Sequence, residues 1–204
     1  MKDAKKGSKG FLVVISGPSG VGKSTVVKQL MKINKNLVLS VSSTTRPARP
    51  IEKNGSDYHF ISKDDFFKSV EGGEFIEWAQ VHGYYYGTSR DFLLKNLEGK
   101  SVVVLEVDVQ GAQHIRECCS KGKLKGHNCV FVFLIPPSVD ILAFRLKRRK
   151  TETTKEMNFR LRAAIAELQV MEKYDYIVVN DEITAAAEKI SAIINVEKER
   201  VLLN

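Results

Sequence analysis

Residues 11–25 read "FLVVISGPSGVGKST". An apolar run of six leads into three glycines and a proline, and "STVVKQLMKI" continues with helical periodicity. Nothing else in the chain constrains the fold as tightly. Gly17-x-x-x-x-Gly22-Lys23-Ser24 is the pattern of a phosphate-binding P-loop, and it carries the strand before and helix after that the pattern requires. Glycines let successive backbone N–H groups turn inward onto an anion. The helix N-terminus adds the positive end of its dipole. Gly17, Pro18, Ser19, Gly20, Val21, Gly22, Lys23, Ser24 and Thr25 therefore form a candidate triphosphate site. Lys23 supplies a mobile point charge for the β- and γ-phosphates, and Ser24 offers a hydroxyl to Mg²⁺.

The same alternation repeats downstream. "SVVVLEVD" (101–108), "CVFVFLI" (129–135) and "YIVV" (176–179) are apolar throughout, as buried parallel strands are. Helical patterns lie between them, near 22–33, 89–98, 110–120, 138–149, 156–173 and 183–200, with Gly99 as a stop after the second. Strand then helix, repeated, predicts an α/β domain of three layers around a parallel sheet. The strand "VVVLEVD" ends on Glu106 and Asp108, two apart on one strand face and placed to aim carboxylates at the metal.

Composition narrows the class. The 204 residues suit one domain with an elaboration, and the net charge of +8 favours anionic partners. The longest apolar run is seven residues, where a membrane helix needs about 20. The basic start, "MKDAKKGSKG", reads as a solvated tail over 1–9 without the apolar stretch of a secretory signal. Cys118, Cys119 and Cys129 have no metal spacing, and their odd number predicts free thiols in a reducing, cytoplasmic setting. The four histidines are scattered and form no ligand set.

Residues 37–88 break the alternation. They are polar, aromatic and irregular, with turns at Arg-Pro and Asn-Gly and one short helix near 63–71. This stretch is expected to form a small α+β lobe inserted into a core of 10–36 and 89–204. "SSTTRPARP" sets Arg46 and Arg49 three apart beside four hydroxyls, and "YHF" and "YYYGTS" add tyrosines. Two arginine forks and two phenol donors suit a phosphate monoester. Tyr84 and Tyr85 read rather as lobe core or rim. A second departure is 145–162, "RLKRRKTETTKEMNFRLR", with eight Lys or Arg against two Glu. Phosphoryl transfer needs much charge stabilisation and little covalent chemistry, so a closing basic flap fits this stretch. Part of it, Lys147 and Lys155 included, is solvated helix face.

Taken together, "SGPSGVGKST", "SVSSTTRPARPIEKNGSDYHF", "EFIEWAQVHGYYYGTSR", "LEVDVQGAQ", "RLKRRKTET" and "YDYIVVND" resemble the guanylate kinases over residues 10 to 200. The resemblance implies Mg²⁺- and ATP-dependent phosphorylation of GMP, and of dGMP, to the diphosphate. It implies a GMP-binding lobe at 37–88 and a mobile helical lid at about 145–162. By position, Arg46, Arg49, Tyr58 and Tyr86 would grip the GMP phosphate, and Ser42, Glu77 and Thr88 would read guanine. Asp108 would lie near GMP and the metal, and Lys23 would bridge the ATP phosphates. Arg145, Arg149 and Arg160 would close from the lid onto the transferring group. Asn180 would lie near adenine.

Two positions depart from the family pattern. Glu106 stands where aspartate is usual, and Lys150 follows Arg149 where glycine is common. The rival expectation is a non-catalytic guanylate-kinase-like binding module. Such modules typically lose the P-loop lysine and the lid arginines, whereas Lys23, Arg149 and Arg160 are present here. No RNA-binding aromatic motif or zinc finger accompanies the charge. The expected partners are therefore ATP and GMP, with neither nucleic acid nor membrane, in a monomer or weak dimer.

Overall fold

A computed structural model describes residues 10–81, 83–124, 126–147 and 154–200, with side chains for all of these except 154–158. The basic tail, Arg149 and Lys150 lie outside the described residues. The chain divides into two compact units. One takes in Asn36–Leu105 and Gln113–Cys129 with the chain up to Leu12. The other takes in Val13–Lys35, Glu106–Ala112 and the chain from Val130 on.

The apolar runs become the strands of one sheet, β1 (Phe11–Ser16), β2 (Leu37–Ser40), β7 (Val102–Glu106), β8 (Asn128–Ile135) and β9 (Tyr176–Val179). Their order is β2-β7-β1-β8-β9. β2 runs parallel to β7 in the register Leu37↔Val102 to Ser40↔Leu105, and β8 runs parallel to β9 from Val132↔Tyr176 to Ile135↔Val179. Every residue of β1 is buried, which is why it carries no polar alternation. Four of these strands are legible in the sequence; β2 is too short and too mixed to stand out.

In the second unit, α1 (Lys23–Ile33) packs on α7 (Ile183–Glu199). α1 buries Val26, Val27 and Leu30, and α7 buries Ala186, Ala187, Ile190 and Ile194, each a stripe at helical spacing. Glu182 caps α7, accepting from the N–H groups of Thr184 and Ala185 at 3.0 and 2.6 Å. α5 (Val139–Lys147) and α6 (Thr154–Leu168) meet through Leu142, Leu146, Leu161 and Ala164. α6 ends before the predicted 173; a short 3-10 turn, Met171–Lys173, completes that stretch.

In the first unit a second sheet has the order β4-β3-β6-β5. It comprises β3 (Ser43–Thr44), β4 (His59–Phe60), β5 (Phe75–Val81) and β6 (Tyr84–Ser89). β5 and β6 are antiparallel, with Glu77 opposite Thr88 and Ala79 opposite Tyr86. α2 (Lys63–Glu71) begins at Ser62, whose side chain accepts from Asp65 N–H at 3.0 Å. This helix presents Phe66, fully buried, to the rings of Phe75, Trp78 and Tyr85 at centroid distances of 4.8, 6.4 and 5.6 Å. Tyr85 is thus lobe core. α3 (Arg90–Glu98) is capped by Ser89 and buries Leu93 and Leu97.

The expectation of three free thiols is overturned. Cys119, in α4 (Val109–Lys121), is disulfide-bonded to Cys129 in β8, with Cα atoms 6.7 Å apart. Cys118 keeps its thiol. Parity of a count does not say which side chains meet; a turn of only a few residues brings the end of α4 back beside the start of β8. Among the described residues no helix is long and apolar enough to cross a membrane.

Candidate active site

The loop between β1 and α1 is shaped by two glycines. Gly17 has φ 144°, and a Cβ there would collide with the Leu134 carbonyl. Gly22 is the left-handed N-cap of α1, at φ 99° and ψ 23°, and a Cβ there would stand 2.7 Å from Asn180 Nδ2. No side chain caps α1 among the described residues; the Thr25 and Val26 N–H groups both donate to the Gly22 carbonyl at 3.1 Å. Lys23 is the first residue of that helix. It is half-buried rather than loose, and its Nζ donates to the Gly17 carbonyl at 2.6 Å and the Pro18 carbonyl at 3.3 Å.

Ser24 Oγ donates to Glu106 Oε1 at 2.7 Å, across 82 residues of sequence. A hydroxyl and a carboxylate oxygen side by side are hard donors of the kind Mg²⁺ takes. No cluster of three or more acidic, His or Cys side chains is found among the described residues, and a kinase-type Mg²⁺ needs none, because phosphates and water complete its shell. Asp108 does not share a strand face with Glu106, because β7 stops at Glu106. Its carboxylate accepts from Gly111 N–H at 2.9 Å and from Gln110 Nε2 at 3.4 Å, opening α4. The strand ends at Glu106, two residues before the predicted 108, although Val107 N–H still donates to the Ile15 carbonyl of β1 at 3.2 Å.

Three further predicted residues converge on the same loop. Arg145, on α5, donates to the carbonyls of Val21 at 3.1 Å and Asn180 at 2.9 Å. Asn180 is 2% exposed and donates to the Val21 carbonyl at 2.7 Å. Its Oδ1 is buried with no hydrogen-bond partner among the described residues, an acceptor suited to an amino group. Arg160, on α6, donates to Ser19 Oγ at 3.0 Å. Arg149 lies outside the described residues.

Sequence reasoning missed Glu167. Its Oε2 accepts from Ser19 N–H at 3.0 Å. Glu167 lies seven residues after Arg160, two helical turns on, so both reach Ser19 from one face of α6; that spacing was the available signal. Burial pushes the Glu167 carboxyl above its ordinary range, against the opposing pull of Ser19 N–H, Lys23 and Arg160. A raised carboxyl favours the folded state below the unfolded pKa and loses that contribution as pH rises through the raised value. Glu167→Gln keeps an acceptor for Ser19 and cannot titrate. Its melting temperature relative to the parent is therefore expected to increase as pH rises from the ordinary glutamate range through the raised value, in thermal melts. A difference independent of pH would contradict the raised Glu167 carboxyl.

The small sheet carries the other predicted set. Glu77 is 7% exposed and Thr88 fully buried, and Thr88 Oγ1 donates to Glu77 Oε1 at 2.5 Å. The pairing follows from register, since the two are cross-strand partners on β5 and β6. Ser42, 8% exposed, immediately precedes β3. Tyr86 stands opposite Thr44 on the neighbouring strand, and the Tyr58 and Tyr86 rings pack edge to face at 5.9 Å. The Arg46 guanidinium lies 5.5 Å from the Tyr58 ring centroid and 5.7 Å from that of Phe60. It is paired to Glu52 at 2.9 Å, whereas Arg49 is half-exposed and reaches Glu52 at 3.6 Å. Arg46, Tyr58 and Tyr86 thus meet in one place, and Arg49 flanks them through Glu52.

Comparison with known proteins gives one consistent answer. The guanylate kinase family profile matches residues 9–197. Guanylate kinase of Caldanaerobacter subterraneus subsp. tengcongensis is 46% identical over 192 residues, covering 94% of this chain and 90% of the relative. That of Thermotoga maritima is 44% identical, covering 96% and 91%. Among solved structures, guanylate kinase from Anaplasma phagocytophilum superposes with a TM-score of 0.77 at 35% identity, over 95% of this chain and 89% of that one.

Proposed function

The chain belongs to the guanylate kinase family and phosphorylates GMP with ATP, and from that premise we propose how its residues divide the work. The P-loop, 17–25, takes the ATP phosphates, with Lys23 between the β- and γ-phosphates. Asn180 offers its buried Oδ1 to the adenine amino group. The lobe at 37–88 takes GMP, its phosphate held by Arg46, Arg49, Tyr58 and Tyr86 and its base read by Ser42, Glu77 and Thr88. Asp108 borders GMP. Arg145, Arg149 and Arg160 close as a lid and neutralise the charge that develops on the moving phosphoryl group.

The observation that carries this reading is the buried Glu77 carboxylate, held by Thr88 on the same small sheet as the Arg46 cluster. Guanine presents an N1–H and a 2-amino group side by side, both donors, and a carboxylate accepts both. Adenine has a lone pair at N1 and no 2-amino group. The sheet thereby couples a reader of guanine to a clamp for a phosphate monoester. A GMP phosphate oxygen is already a nucleophile, and the reading assigns no residue as general base.

Ser24 and Glu106 fit Mg²⁺ by donor type and proximity, with Glu106 and Asp108 acting through bound water. When bound, the ion neutralises charge on the β- and γ-phosphates. The chain's own part is to hold the Ser24 hydroxyl and the Glu106 carboxylate together. The longer Glu106 side chain still reaches Ser24 directly, so the departure from aspartate leaves that pair intact. The non-catalytic alternative is not favoured. A nucleotide kinase draws both substrates from the cytoplasm, where we place this one.

A coupled ADP-release assay with ATP–Mg and each of GMP, dGMP, AMP, CMP, UMP and dTMP tests the reading. Turnover is expected with GMP and dGMP and to be lower by ~10⁴-fold in kcat/KM with AMP. Comparable turnover with AMP, or none with GMP, would overturn it.

A further inference from the structure

Glu52 belongs to none of the sets above, yet it organises one of them. It sits in the turn after Arg49, closed by Glu52 N–H donating to the Arg49 carbonyl at 3.0 Å. Its side chain is 11% exposed and that of Arg46 is 12% exposed. Glu52 Oε2 accepts from Arg46 Nη1 at 3.0 Å, and Oε1 accepts from Arg46 Nη2 at 2.9 Å. Oε2 also accepts from the Arg49 backbone N–H at 2.8 Å. Arg46 Nη1 donates in addition to the Pro47 carbonyl at 2.7 Å.

A guanidinium has five N–H donors in a fixed plane. Glu52 takes the end fork, one donor from each terminal nitrogen, and Pro47 takes the second Nη1–H. The remaining two, Nε–H and the second Nη2–H, share the same long edge, and the Tyr86 hydroxyl also bonds the guanidinium. That edge is a two-donor fork of the geometry that phosphate accepts. We infer that Glu52 is a positioning residue for GMP: it occupies the end fork of Arg46 so that the long edge meets the phosphate. The Tyr58 and Phe60 rings hold the plane of the guanidinium, and Glu52 holds its rotation within that plane. The same carboxylate ties down the Arg49 backbone, so both arginines take their places from one residue. Against the upward push of its burial, the Glu52 carboxyl is held below its ordinary range by Arg46 and the Arg49 N–H.

The inference rests on Arg46 as the GMP phosphate ligand, and its test separates the two claims. Binding of GMP and of guanosine, which lacks the phosphate, is measured by calorimetry on the full chain. Glu52→Ala is expected to weaken GMP about tenfold while guanosine and ATP stay within about twofold. Glu52→Gln keeps one acceptor for Nη2 and turns an amide donor toward Nη1, so it should fall between. Unchanged or tighter GMP binding in Glu52→Ala would mean that Glu52 is a competing anion or a bystander. Equal weakening of GMP and guanosine would mean that Glu52 only supports the lobe. Either result overturns the inference. Arg46→Lys removes the fork altogether. If it leaves the preference for GMP over guanosine intact, the phosphate assignment of Arg46 fails first; if it abolishes that preference while Glu52→Ala does not, the Glu52 inference alone fails.

Discussion

Lys23→Ala is expected to lower kcat with GMP and ATP at least ~10²-fold while leaving a folded protein. On the proposed role, the charge it removes would act where negative charge builds up during transfer, and the loop's neutral N–H groups cannot replace a full positive charge. The lost bonds to the Gly17 and Pro18 carbonyls should cost about 1–3 kcal/mol of stability, the net range for bonds from a charged donor. GMP affinity should be unaffected, since the lobe does not include Lys23. Steady-state kinetics and a thermal melt on the same preparation decide the matter. Near-parental turnover with an unchanged melt would refute the P-loop assignment.

Glu77→Gln should lower kcat/KM for GMP by ~10²-fold or more, roughly 3 kcal/mol of transition-state binding, with ATP affinity within a few-fold. The substitution keeps size. Its amide oxygen still accepts one bond, but its NH₂ faces a guanine donor. Thr88 donates to one Glu77 oxygen, and an amide that keeps its oxygen on Thr88 turns its NH₂ toward the base. Measuring kcat/KM for GMP and AMP in both proteins tests it. An unchanged GMP-to-AMP ratio would assign base reading to other residues.

Local pattern made much of the fold readable. β1, its glycine loop and α1 are three consecutive segments, each specified by neighbours in sequence, and β1 has the predicted bounds, Phe11–Ser16. The later apolar runs 129–135 and 176–179 became β8 and β9 for the same reason. β2 was not readable as a sheet strand, because four residues give no periodicity and its partner β7 lies over 60 positions away. Asp108 was misplaced on a strand face because apolar patterning does not register where a backbone leaves the sheet. The cysteine pairing was missed because a count carries no distances.

The candidate site divides along the same line. The sequence by itself determined the chemistry on offer: a P-loop, a pair of arginines among tyrosines, a carboxylate in "EFIEWAQ" and a basic stretch before 162. Each is a run of nearby residues whose types and spacing are written in order. Only the tertiary structure decided which groups hold which. Ser24 meets Glu106 across 82 positions, Ser19 meets Glu167 across 148, and Asn180 meets Val21 across 159. Even Glu52, six residues from Arg46, showed its part only once the fork of the guanidinium was seen to be occupied. Hydrogen bonds depend on angles and edges fixed by packing, and a sequence records residue types without those directions.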